Sequence, residues 1–306
     1  MDLENGTVPN PAFLFFENLF RALYNIPLDI NTENLGTILR DCMGLIGMAE
    51  SYGAIVAVRE SIDIALLRQG QALFKSIATN SVAWMNFSFR IQSPTIFRDA
   101  LIHLVGQWAA LGDDKKNMLA PDLLPIVLHK FEEFQMIKQA REIRMVSHYP
   151  DCVQKAAGTN PGRNDYANDV YSWMALALFR HYFATQTAEK VNKEGKDGGY
   201  ALYLRLSIGG EAYINKRQRG DFHIYCPMSK KGMTVFDNHL NVLKEDISKM
   251  IAPLMVNNTQ LEIREGNQSI KHLLSVEVEK EDYPWAVGGE VGGDVVMVGG
   301  GVVESD

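Results

Sequence analysis

Two pairs of residues put zinc-ligand chemistry at close spacing. His148 and Cys152 are four positions apart, and His223 and Cys226 are three apart. Thiolate and imidazole are the donors that structural zinc prefers, so each pair is chemically competent as half of a four-coordinate site. Completing that site means joining segments more than 70 residues apart in the chain. The competing reading makes the cysteines small buried hydrophobes and the histidines hydrogen-bonded or surface residues. Cys42 stands on an apolar helical stripe, where burial raises a thiol's pKa and protects it from reaction. His103 sits between Ile102 and Leu104 at the border of another stripe, where a neighbouring carbonyl is the expected partner. No Gly-X-Ser-X-Gly elbow is present. Two glycine-rich runs, Gly158-Thr159-Asn160-Pro161-Gly162-Arg163 and the tail VGGEVGGDVVMVGGG, lack the Gly-Lys-Ser/Thr step that a phosphate-cradling loop needs. No catalytic residue and no cofactor are therefore expected.

The elements that would position these residues read as helices. Leu35, Ile38, Leu39, Cys42, Leu45, Ile46 and Ala49 recur at steps of three and four, behind Asn34 as a cap. Ser61 or Asp63 is expected to start the next helix, through Leu66, Leu67, Gly70 and Phe74. Ser93 caps a helix opened by Pro94, whose stripe is Phe97, Ala100, Leu101, Leu104, Val105 and Trp108. Residues 119–149 carry Leu123, Leu124, Val127, Leu128, Phe131, Phe134, Ile137, Ile143 and Val146 inward. Glu132, Glu133, Lys138, Arg141, Glu142 and Arg144 are expected outside. Tyr166, Val170, Trp173, Met174, Ala177, Leu178 and His181 predict a buried helix after a loop at 158–165. Tyr200–Gly209 fits either a strand or a short helix stopped by Gly209-Gly210, and its helical surroundings favour the helix. From Ser229 onward, Phe236, Leu240, Leu243, Ile247, Met250 and Leu254 share one face. Leu273–Val278 is a candidate edge strand.

Composition sets the outer bounds. A chain of 306 residues with 46% hydrophobic and 22% charged side chains is long enough for a substantial core. Its net charge of −7 argues against broad nucleic-acid binding, which needs a clustered basic surface. Lys216-Arg217-Gln218-Arg219 and Lys230-Lys231 are compact basic runs, each read as a solvated loop. Three scattered cysteines imply a reducing compartment, cytoplasmic or nuclear, and no window resembles a signal peptide or a membrane span. The aromatic cluster Phe13, Phe15, Phe16, Phe20 and Tyr24 is the candidate partner-binding surface, because apolar groups left exposed together mark interaction sites.

The stretch Phe13–Ile62, with Phe20-Arg21-Ala22-Leu23-Tyr24 at its heart, resembles the closing half of a BTB/POZ domain. Ala65-Leu66-Leu67-Arg68-Gln69-Gly70, Ser93-Pro94-Thr95-Ile96-Phe97-Arg98 and Cys226-Pro227-Met228-Ser229-Lys230-Lys231-Gly232 resemble the helical region that follows it in fungal BTB proteins. That resemblance implies other proteins as partners, with a cullin-type ligase or self-association as the specific cases.

The expectation is a mainly α protein: a multi-helix orthogonal bundle with at most a short edge strand or hairpin and a disordered Gly-rich C-terminal tail. Its expected divisions are a flexible arm (1–12), a helical BTB remnant (13–62), a helical domain (63–190), a mobile connector (191–199), a C-terminal helical segment (200–280) and the tail (281–306). Its expected function is a non-catalytic protein–protein interaction or adaptor module, without nucleic-acid or membrane binding. The alternative is a metal-dependent regulator or enzyme built on His148, Cys152, His223 and Cys226. Elemental analysis of the purified chain separates the two: the metal reading requires about one zinc per chain, and the adaptor reading expects no stoichiometric metal.

Overall fold

A computed structural model describes residues 11–30, 34–150, 153, 170–192, 197–263 and 270–286. Among them the chain forms helices and irregular connections, with no strand. The helices are α1 (Pro11–Leu23), α2 (Leu35–Ser51), α3 (Ile55–Leu67), α4 (Gln71–Thr79), α5 (Ser81–Ile91), α6 (Pro94–Gln107) and α7 (Asp113–Lys116). They continue with α8 (Leu124–Ser147), α9 (Val170–Asn192), α10 (Tyr200–Ile208), α11 (Lys216–Tyr225) and α12 (Lys230–Ile251). Asn34 caps α2 through the Thr37 amide, and Ser93 caps α6 through the Ile96 amide, as their sequence positions predict.

The centre of the molecule is α6. Ile96, Phe97, Asp99, Ala100, Leu101, Ile102, His103, Leu104 and Val105 are all buried, so this helix has no solvent face over most of its length. Helices α4, α5 and α8 flank it, while α1, α2 and α3 pack together and reach it through α5. On the other side α8 touches α12, which carries α9 and α10. The segment after Leu254 lies across α6 as a strap and buries Leu261, Ile270, His272, Leu273, Leu274 and Val276. Gly106 permits the crossing, since any Cβ there would collide with the Leu273 carbonyl and the His272 ring. The candidate strand Leu273–Val278 belongs to this strap. The Leu274 and Val276 carbonyls accept from the Asn258 amide and side chain at 3.1 and 3.2 Å, so the strap is fastened to itself.

Several expectations are corrected. Ser61 and Asp63 lie inside α3 and start nothing; Asp63 instead accepts a hydrogen bond from Ser93 at 2.5 Å. The break comes at Gly70, whose φ of 52° is a left-handed value that glycine adopts readily. The division at 62/63 therefore falls within a helix, as does the one at 190/191, because α9 runs on to Asn192. Pro11 already belongs to α1, so the arm expected to reach residue 12 is helical at its end. The stretch 281–286, expected to belong to the tail, is packed: Tyr283 and Trp285 lie on Phe97, with ring centroids 5.5 and 5.1 Å away. The loop at 158–165, Tyr166 after it and the glycine-rich run beyond 286 lie outside the described residues.

Two helices bury a different face from the one expected. In α8 the buried set is Val127, Lys130, Phe134, Lys138 and Met145, whereas Leu124, Leu128, Ile137, Ile143 and Val146 are exposed. The face is set by what it meets, the 280–282 turn and the turn at 198. Lys130 pairs with Glu133 and Asp282 at 2.9 and 2.8 Å, and Lys138 donates to the Gly198 carbonyl at 2.8 Å, so both cations enter the interior already partnered. In α9 the buried residues are Ser172, Ala175, Leu176, Phe179 and Phe183, with Trp173 and His181 outside. That helix is apolar on too many sides for periodicity to choose a face.

Leu101 is fully buried in α6. Leu101→Asp is expected to abolish cooperative thermal melting followed by circular dichroism, because an unpaired carboxylate would be trapped in the core.

Candidate protein-interaction surface

The polar groups nearest the centre are structural. His103 Nδ1 and His272 Nε2 are 3.0 Å apart with the rings edge-on, which ties the strap to α6. His103 is thus bonded across the strap, and the neighbouring carbonyl expected at a helix border plays no part. Its Nε2 is buried with no hydrogen-bond partner among the described residues. Burial, and then the proximity of His272, pushes His103 down to about 3. Burial alone brings His272 down to about 4, so both imidazoles are neutral at pH 7. One turn earlier, Asp99 accepts the Gln260 amide at 2.9 Å, and burial pushes its carboxyl up to about 6. A cavity of about 570 Å³ opens beside the strap, with Lys75, Thr79, Gln107 and His272 in its wall. Its hydroxyl and imidazole are committed elsewhere: Thr79 donates to the Lys75 carbonyl and His272 meets His103. Glu262 and Lys271 complete its polar wall.

The metal candidates do not converge among the described residues, where no group of three or more His, Cys, Asp or Glu side chains is placed to hold an ion. His148 faces Asp246 at 3.1 Å, joining α8 to α12. His223 Nδ1 accepts the Met228 amide at 3.2 Å and pins the turn between α11 and α12. Cys226 ends α11 as its C-cap, and Cys152 lies outside the described residues. Cys42 is buried, and desolvation pushes its thiol up to about 12.

The aromatic cluster of α1 divides. Phe15 brings the tip of its ring onto α2 at Gly44, where a Cβ would strike it, and Phe16 meets Tyr52 at 5.7 Å. Phe13, Phe20 and Tyr24 form a separate stripe at steps of seven and four, 74%, 56% and 76% exposed.

A second surface falls where the basic runs had been read as loops. Residues 216–219 begin α11, held by a reciprocal capping box in which Asn215 and Gln218 each bond the other's backbone. Lys230 and Lys231 begin α12 behind the Ser229 cap. The Asn-X-X-Gln spacing was the available signal for α11, hidden by a polar composition that gives it no buried stripe. Arg219 is spent on Glu211 and Asp237 at 2.8 and 3.1 Å. Lys216, Arg217, Lys230 and Lys231 are exposed and have no carboxylate partner among the described residues. At the far end of α11, Ile224 and Tyr225 stand 72% and 85% exposed.

The framework beneath that surface is tight. Lys244 is buried and donates to the Gly210 and Ile214 carbonyls at 2.6 and 3.1 Å, holding the loop that enters α11. Ile214 accepts this cation at φ 45°, a left-handed conformation unusual for a branched side chain. Gly232 lets α12 approach the Tyr171 hydroxyl of α9, and Phe222 stacks on Phe236 at 5.6 Å.

Residues 150–253, which contain α9 to α12, match the model of the fungal FF domain. FF domains are protein–protein interaction domains. No curated protein and no solved structure matches the chain. The resemblance of Phe13–Ile62 and the later helices to BTB/POZ proteins is overturned: the family match is FF and no BTB family is found. Other proteins as partners fit an FF domain; a cullin-type ligase in particular is not shown. What misled was a run of aromatic and aliphatic residues at helical spacing, which any helical bundle requires.

The strap offers a titration test. Both histidines bind protons less readily folded than unfolded, so their stabilising effect is complete above pH 6.5. It is lost as pH falls from 6.5 toward 4 and then 3. Asp99 acts oppositely, because its raised pKa stabilises the fold as pH falls from about 6 to 3.8. With two histidines against one carboxyl, the melting temperature is expected to drop between pH 7 and pH 5. His272→Gln is expected to flatten that dependence while lowering stability at pH 7; equal slopes in thermal melts of both proteins would refute the assignment.

Proposed function

We propose that this chain is a non-catalytic protein–protein interaction module whose partner surface is the basic, apolar-tipped face of α11 and the start of α12. The observation that carries this reading is the placement, within the FF-matched segment, of four cations with no carboxylate partner among the described residues. Lys216 and Arg217 are the first residues of α11, and Lys230 and Lys231 the first of α12. The amino-terminal end of a helix is the positive end of its dipole, where a cation costs about 0.3–1 kcal/mol. Folding is served better by acidic residues there, so these three lysines and one arginine disfavour the fold and favour an anionic partner. At the other end of α11, Ile224 and Tyr225 expose apolar surface, the kind of side chain that marks a binding patch. An acidic segment bearing an aromatic or aliphatic side chain matches both features. Cytoplasm or nucleus is the setting expected for such a module.

The test is an array of short peptides graded in charge, probed with the full chain. Retention of acidic peptides carrying an apolar residue is expected, weakening with salt. Tyr225→Ser is expected to lose that binding. Lys230→Glu with Lys231→Glu is expected to lose it as well, while raising stability by about 0.3–1 kcal/mol per site, because the helix dipole then favours the new charge. Binding indifferent to these substitutions sinks the proposal.

A further inference from the structure

We propose that the chain also self-associates, through an antiparallel pairing of α3 with α3 of a second copy about a two-fold axis at Ile64. This surface belongs to a different part of the molecule from α11. It stands on observations independent of the FF match.

A groove of about 280 Å³ runs between the segment after α1 and the outer face of α3, with Ile26, Pro27, Glu60, Ile64, Ala65 and Arg68 among its walls. Its apolar rim is open, since Ile26 is 48% and Ile64 is 44% exposed. Glu60, Ile64 and Arg68 follow one another at steps of four on α3, so they lie along one side of the helix. The two charges sit about 6 Å along the axis on either side of Ile64. Eight residues apart, they are too distant to pair with each other. Neither has an ion-pair partner among the described residues, in contrast to the nearby Arg21, which pairs with Glu17 at 2.8 Å.

This pattern is self-complementary. When two α3 helices are laid antiparallel with Ile64 at the centre, Ile64 meets its own counterpart. Glu60 of each copy then faces Arg68 of the other, which gives two ion pairs flanking an apolar contact. An isologous dimer requires this arrangement, in which one patch serves as both halves of the interface. A different protein would have to carry a carboxylate and a cation at this same spacing, whereas a second copy supplies both by symmetry. Leu23 and Tyr24 lead directly into Ile26, so the exposed end of α1 extends the apolar rim on both sides of the axis.

The test is sedimentation of the full chain over a wide micromolar range, using charge reversals at two exposed positions that leave the core untouched. The wild-type chain is expected to form dimers that dissociate on dilution. Glu60→Arg presents two cations on each face and Arg68→Glu two carboxylates, so each variant alone is expected to dimerise at least about tenfold more weakly. Mixing the two variants is expected to restore dimers as heterodimers, and the double variant Glu60→Arg/Arg68→Glu is expected to dimerise alone. Melting curves matching the wild type establish that each variant is folded. A wild-type chain that stays monomeric overturns the proposal. So do single variants that dimerise undiminished, or a mixture that fails to recover. Peptide binding at α11, measured on the same variants, is expected to be unchanged. A loss there with dimers intact counts against the peptide surface alone.

Discussion

The constraint that organises this molecule is the complete burial of one polar-bearing helix. α6 takes Asp99 and His103 into the interior along with its apolar residues, and neither can be surrounded by hydrocarbon without a partner. The strap supplies those partners from more than 150 positions away: the Gln260 amide for Asp99 and the His272 ring for His103. Its own apolar residues then close over the helix. The core is therefore finished only when the far end of the chain returns to the middle. Phe97, with Tyr283 and Trp285 stacked on it, marks the last of those contacts.

The same logic joins the FF-matched segment to the rest. Long α8 lies between the central helix and α12, and its polar groups reach across. Lys138 holds the Gly198 carbonyl, Glu142 receives the Tyr203 hydroxyl and His148 meets Asp246. Each partner lies within the matched range. The neighbouring Lys244 is used in the same way inside that range, donating to two backbone carbonyls. Buried cations here act as hydrogen-bond donors to an otherwise irregular backbone. They give the loop before α11 a fixed shape, and the basic face of α11 is presented on that shape.

Stability and recognition pull in opposite directions at the surface. Asp99, Lys130, Lys138 and Lys244 each have a partner inside, yet four cations occupy helix ends where the dipole opposes them. On α1 and α3, apolar side chains and single charges remain exposed while comparable groups a few residues away are satisfied. Phe15 covers Gly44 but Phe13 points outward. Arg21 has Glu17, whereas Arg68 has no carboxylate within reach among the described residues. Unfavourable placements that the fold does not require are what separate a binding surface from an ordinary solvated one.

Local pattern was enough to read the helical class, the caps at Asn34 and Ser93, the stripe of α6 and the start of α12, because each depends on residues within a turn or two of one another. The helix reading of Tyr200–Gly209 was legible for the same reason. The inward faces of α8 and α9, the role of Lys130 and Lys138, and the pairing of His103 with His272 were not. Those outcomes rest on partners 60 to 169 positions distant, which no window of sequence contains. Nor did residue type separate Phe13 from Phe15, since both are equally oily and only the position of α2 decides which is covered. Periodicity fixes which way a helix turns. Whether a given side of it meets protein, a charge or water is decided by where the rest of the chain comes to lie.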